Sequence, residues 1–103
     1  MSEQLDNLII IAHEMTNLIN KEKRFEVYHN IHHDCVSVFI KTNHQFNFFN
    51  FYWSEAQLFF YNKEYIQINI IHSRYQPIKM TFLYADPAFD IEEISKKIIE
   101  LMN

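Results

Sequence analysis

Two hydrophobic periods divide this chain. Over residues 3–20, Leu5, Leu8, Ile9, Ala12, Met15 and Ile19 recur at three- and four-residue steps, the spacing that lines one face of a helix. Ser2 is placed to cap its start, and Lys21, Lys23 and Arg24 lie where positive charge complements a helix C-terminus. From Phe25 to Tyr84 the period falls to two. Six strand-like runs appear, over 24–29, 35–41, 45–53, 57–62, 65–72 and 77–84. Val36, Val38 and Ile40 alternate with Cys35, Ser37 and Phe39, and Ile66, Ile68 and Ile70 alternate with Gln67 and Asn69. Both patterns are those of half-buried strands. Pro77 suits the first residue of a strand, where its missing N–H does least harm.

The connections between these runs are short, so the strands are expected to pair antiparallel as a meander. Tight hairpins usually take glycine, and this chain has none. Asparagine is the best substitute in the left-handed region, so Asn30, Asn43 and Asn62 are expected to fall in connections, with positive φ at one or more of them. The period returns to helical after Pro87. Asp90 and Glu93 form a capping box, Phe89 and Ile94 a hydrophobic staple, and Ile91, Ile94, Ile98, Leu101 and Met102 share a face. The predicted architecture is a single α+β domain over 1–103. It has an N-terminal helix, an antiparallel sheet of five or six meandering strands and a C-terminal helix, with both helices on one face of the sheet.

Ten aromatic residues fall between positions 46 and 65, and only Glu55, Lys63 and Glu64 are charged in that window. Alternation sends these rings to both faces. With Phe49, Phe51, Trp53, Leu58 and Phe60 toward the helices, Phe39, Phe48, Tyr52, Phe59 and Tyr61 point away. A bulge at Phe48-Phe49 would reset the phase. Two helices cannot cover both faces of such a sheet, and exposed apolar patches mark protein contacts rich in Tyr, Phe and Trp. Phe39, Phe48, Tyr52, Phe59 and Tyr61 are therefore the candidate partner-binding residues. The competing arrangement is a curled sheet whose rings fill its own interior.

Composition narrows the chemistry. Without glycine, phosphate-cradling loops, dinucleotide turns and the nucleophile elbow are all absent. The excess of Ile and Asn over Ala, Pro and Arg points to AT-rich codon usage as one cause of that absence. Net charge is −4, with −3 over 1–34, +2 over 35–85 and −3 over 86–103. No basic stripe exists to neutralise phosphates, which disfavours nucleic acid as a partner. The longest aliphatic run, Leu8 to Ala12, is far short of the ~20 residues a membrane span needs. The N-terminal residues lack the positive region of a signal peptide, and the lone Cys35 cannot form an internal bridge, so a reduced cytoplasmic setting is expected.

One segment offers reactive groups: residues 29–35 contain His29, His32, His33, Asp34 and Cys35. Imidazole, carboxylate and thiolate are metal-ligand and general-base types. The spacing matches no zinc or protease motif, and an extended segment would put His29, His33 and Cys35 on one face and His32 and Asp34 on the other. No metal, cofactor or catalytic residue is assigned. The expected function is that of a small binding protein, in the character of bacterial immunity proteins, antitoxins or phage inhibitors. It would occlude a partner such as a basic toxin, aromatic anchors supplying affinity and acidic residues steering association. The alternatives are a small His/Cys-based hydrolase or nuclease, metal-assisted or not, and a homodimeric scaffold or chaperone.

Overall fold

The computed structural model describes residues 3–20, 26–32, 34–45, 51–61 and 64–103. Helix α1 (Glu3–Asn20) is followed by strands β1 (Glu26–Ile31), β2 (Cys35–Gln45), β3 (Phe51–Tyr61), β4 (Tyr65–His72) and β5 (Tyr75–Leu83), and by helix α2 (Ile91–Met102). The five strands form one antiparallel sheet in the order β1-β2-β3-β4-β5. The fold is thus the α+β meander expected from the two periods.

Register explains why both helices take the same face. Residues directly opposite in an antiparallel ladder share a face. Val36 faces Phe60, Val38 faces Leu58 and Ile40 faces Ala56; these in turn face Ile66, Ile68 and Ile70 on β4. All nine side chains are buried. On β5, Ile78, Met80 and Phe82 extend the same rows and are partly buried against that core. From α1 the layer receives Leu8, Ala12, Met15 and Ile19, and from α2 Ile94, Ile98 and Met102. The helices pack on each other and on β2, β3 and β4, so one apolar layer satisfies every hydrophobic stripe at once.

Six strand-like runs become five strands. The runs at 45–53 and 57–62 are not separate elements: Gln45 closes β2, and Phe51 to Tyr61 is one continuous strand. Ser54, Glu55 and Ala56, which break the aromatic pattern, stay in register with Thr42, Lys41 and Ile40. Small and polar residues are accepted there because alternation, not composition, sets the face. Ser54 and Ala56 are fully buried.

The turn assignment needs correction. Asn30 lies inside β1 and Asn43 inside β2, and among the described residues none has positive φ. Asn62 lies outside the described residues, as do Ser2, Lys21, Lys23 and Arg24. The β4–β5 connection shows how a hairpin forms without glycine. Its turn is Ser73-Arg74, and side chains and the neighbouring strand close it. The Arg74 N–H donates to His72 Nδ1 at 3.1 Å, and the Ser73 N–H to the Trp53 carbonyl at 3.0 Å. Pro77 sits two residues into β5 rather than at its start. Register shifts by one between Ile70 and His72, setting Gln76 and Pro77 against Ile71 as a bulge. An edge-strand bulge tolerates proline because the residue is already out of the ladder.

Asp90 caps α2 as expected. Asp90 is extended, and its carboxylate accepts from the Glu92 and Glu93 N–H groups at 2.9 and 3.4 Å. The Asp90→Ala variant is expected to lose ~1 kcal/mol of stability, and Phe60→Ala ~3–5 kcal/mol, because the second leaves a cavity where two strands and the helices meet. Urea denaturation of both variants checks the ranking.

Candidate functional site: the uncovered face of the sheet

The second face of the sheet is built by the alternate residues of the same strands. Tyr28 faces Phe39 across β1 and β2, Phe39 faces Gln57, and Cys35 faces Tyr61. Glu55, Gln57 and Phe59 on β3 face Ile71, Asn69 and Gln67 on β4. Tyr65 faces Leu83, and Asn69 faces Lys79. Both helices are on the opposite side, and among the described residues no element covers this face.

The rings on it support one another. Phe39 meets Phe59 edge-on at 5.7 Å, Phe59 stacks on Tyr61 at 6.4 Å, and Tyr61 tilts against Tyr65 at 5.0 Å. All four are half-buried, and among the described residues no further layer lies over them. Desolvation, followed by the neighbouring Cys35, Tyr65 and Asp34, pushes the Tyr61 phenol above its usual value. It is therefore a neutral hydroxyl at physiological pH. Tyr28, Trp53 and Leu83 extend the apolar patch and are exposed. Gln57, Gln67, Asn69, Thr81, Lys41 and Lys79 surround the rings with polar groups, an apolar patch with a polar margin.

Phe39, Phe59 and Tyr61 therefore lie on the uncovered face, and Phe48 lies outside the described residues. Tyr52 does not join them. It faces His44 and shares the helix side with Ser54, and it is 5% exposed while Trp53 is 39% exposed. The expected assignment reversed these two because it allowed a break between Trp53 and Leu58. With β3 unbroken, Leu58 and Phe60 fix even numbers inward, so Trp53 goes outward. Trp53 and Tyr65 were missed as surface residues, although counting back from Phe60 and Ile66 in steps of two locates both.

Tyr52 belongs to a different cluster at the end of β3, β4 and β5. It stacks on His72 at 4.8 Å, Tyr75 leans on His72 at 4.5 Å, and the Arg74 guanidinium lies 5.1 Å from the Tyr52 ring centre. Burial holds His72 below its usual pKa, partly offset by the Asn103 backbone, and the Arg74 charge acts in the same direction as burial.

The residues of the 29–35 segment do not converge. His29 faces Val38 on the helix side of the sheet, whereas His32 follows β1 and places Nε2 3.4 Å from Ser37 Oγ. Cys35 is buried, and desolvation with the nearby Asp34 raises its thiol pKa, which keeps it protonated. His33 lies outside the described residues, and among the described residues no three His, Cys, Asp or Glu side chains are grouped as a metal site. An open groove of about 890 Å³ runs between the helices, lined by Glu14, Asn17, Leu18, Phe89, Asp90 and Glu92. Its carboxylates give it negative character but no nucleophile or base pair. No family model, curated protein or solved structure matches the chain.

Two outcomes follow from these environments. Cys35 in the native protein is expected to react with a thiol-specific maleimide at least about tenfold more slowly than a free cysteine, and at the ordinary rate after unfolding. The depressed His72 pKa means that the unfolded chain takes up a proton more readily. Stability is thus full above about pH 6.5 and falls as pH drops below that value. Urea denaturation at pH 7.5 and 5.5 is expected to show this loss in the native sequence and a smaller one in His72→Gln.

Proposed function

We propose that this protein is a small binding module that occludes a partner protein with the uncovered face of its sheet. The observation that carries the reading is the continuous run Phe39, Phe59, Tyr61 and Tyr65, flanked by exposed Trp53, Tyr28 and Leu83, with no covering layer among the described residues. Half-buried rings of this kind are preorganised: their rotamers are restricted by one another before a partner arrives, which lowers the entropic cost of docking. Burying them removes apolar area from water at about 25 cal/mol per Å².

The partner chemistry we favour is a basic protein of the toxin class, with the present chain as its immunity-type inhibitor. Support comes from charge: the −4 total is concentrated in residues 1–34 and 86–103, which contain both helices, while the sheet region is close to neutral. Acidic helices steer a basic protein into encounter, and the aromatic sheet face holds it. Among the described residues no helix is long and apolar enough to cross a membrane. The hydrolase reading draws less support, since Cys35 is buried and protonated and His29 points to the other side of the sheet.

The test is affinity capture from the native host with the tagged chain, in parallel with Phe59→Lys and Tyr61→Lys. Both side chains are half-exposed on the uncovered face, so the variants are expected to keep native circular dichroism. A single basic protein retained by the native chain and lost, at least about a hundredfold, by both folded variants is expected for a hot-spot contact. A partner retained equally by all three forms would overturn the assignment of the face.

A further inference from the structure

The two edges of the sheet are not alike. On β5 the outer edge carries the Gln76-Pro77 bulge and Lys79, and the outward carbonyl of Leu83 is taken by the Asp86 N–H at 3.2 Å. Bulge, proline and lysine are the usual devices that stop an edge from pairing with another chain. The β1 edge has none of them. Its six residues, Glu-Val-Tyr-His-Asn-Ile, are exposed except for Val27, and α1 packs over β2 and β3 rather than over β1. Among the described strands nothing pairs with its outer side.

The hydrogen-bonding phase of this edge can be read directly. The His32 N–H donates to the Cys35 carbonyl at 2.7 Å, so His32 and Cys35 are a hydrogen-bonded pair facing into the sheet. In an antiparallel ladder such pairs recur every second residue, which makes Asn30–Ser37, Tyr28–Phe39 and Glu26–Lys41 the others. The N–H and C=O groups of Val27, His29 and Ile31 therefore point out of the sheet.

We propose that a second copy of this chain pairs antiparallel with β1 about a two-fold axis at His29, joining two sheets into one. Only this register lets all three outward residues of each copy bond at once: His29 with its own counterpart, and Val27 with Ile31 in both directions, giving about six backbone hydrogen bonds. The side chains agree with it. On the helix face, half-buried Val27 lies opposite Ile31, which is 53% exposed in the single chain. On the other face Tyr28 lies opposite Asn30, and Glu26 lies opposite His32. An edge that sets aliphatic against aliphatic and carboxylate against imidazole in the one register that completes its hydrogen bonds is self-complementary. The two helix layers fall on the same side, and the two aromatic faces merge into one surface. The pairing is independent of the partner reading above, because it uses the edge and leaves the face open.

A single six-residue edge buries little area, so the dimer belongs to the weak, roughly micromolar class. Sedimentation equilibrium of the full chain from about 1 μM to 1 mM is expected to show a reversible monomer–dimer equilibrium. Glu26→Lys alone and His32→Glu alone each place like or unmatched groups across the axis and are expected to weaken it about threefold to tenfold, while the double variant recovers it. Ile31→Lys, at an exposed position, is expected to weaken it at least about tenfold. Phe59→Lys leaves it unchanged, which separates this edge from the docking face. A chain that stays monomeric throughout, or a dimer indifferent to Ile31→Lys and to the charge exchange, would overturn the proposal.

Discussion

Strict two-residue alternation on three adjacent strands is the constraint from which the rest of this structure follows. Val36, Val38 and Ile40, then Phe60, Leu58 and Ala56, then Ile66, Ile68 and Ile70 stand in matched rows, and each row is dry. A slip of one residue in any of the strands would move its whole set to the other side. The register is therefore held by the same burial that stabilises the fold. Met15 and Ile19 of α1 and Ile98 and Met102 of α2 close the layer, fully buried against it.

Because that layer absorbs both helices, the molecule has two unlike surfaces. One is finished. The other is a sheet face on which Phe39, Phe59, Tyr61 and Tyr65 form a run of ring contacts, with no covering layer among the described residues. Cys35 and Ser37 are buried on that face, the Ser37 hydroxyl meeting the Asn30 carbonyl and His32 Nε2 beside β1. The same sidedness applies to the edges: β5 is blunted by its bulge and by Asp86, whereas β1 keeps a regular row of outward backbone groups. The proposed binding by the surface and the proposed pairing by the edge both rest on this one layered plan.

Much of this is legible in the sequence. The periods of three to four and of two locate both helices and the sheet, and Asp90 with its two accepted N–H bonds is where the capping pattern put it. The ambiguous part was local. Rings on both sides of Trp53 make either phase look apolar, so composition could not separate Tyr52 from Trp53; only the unbroken course of β3 through Ser54-Glu55-Ala56 does so. Turns were misread for a related reason. Asparagine is a turn residue by conformational preference, but Asn30 and Asn43 are held in extended ladders by their cross-strand partners Ser37 and Trp53. The β4–β5 turn uses the His72 imidazole, a local contact to Arg74, and the carbonyl of Trp53, which is too distant in sequence from Ser73 to be read locally.

The most direct test is a glutamate scan along β3 at Gln57, Leu58, Phe59 and Phe60, read as the midpoint of urea denaturation. The alternation described here requires a sawtooth: Gln57→Glu and Phe59→Glu fold with midpoints near that of the native chain, while Leu58→Glu and Phe60→Glu fail to fold or lose most of their stability. Comparable losses at Phe59 and Phe60 would mean that rings on both sides are sealed inside one chain, and the unfinished surface on which the account rests would not exist.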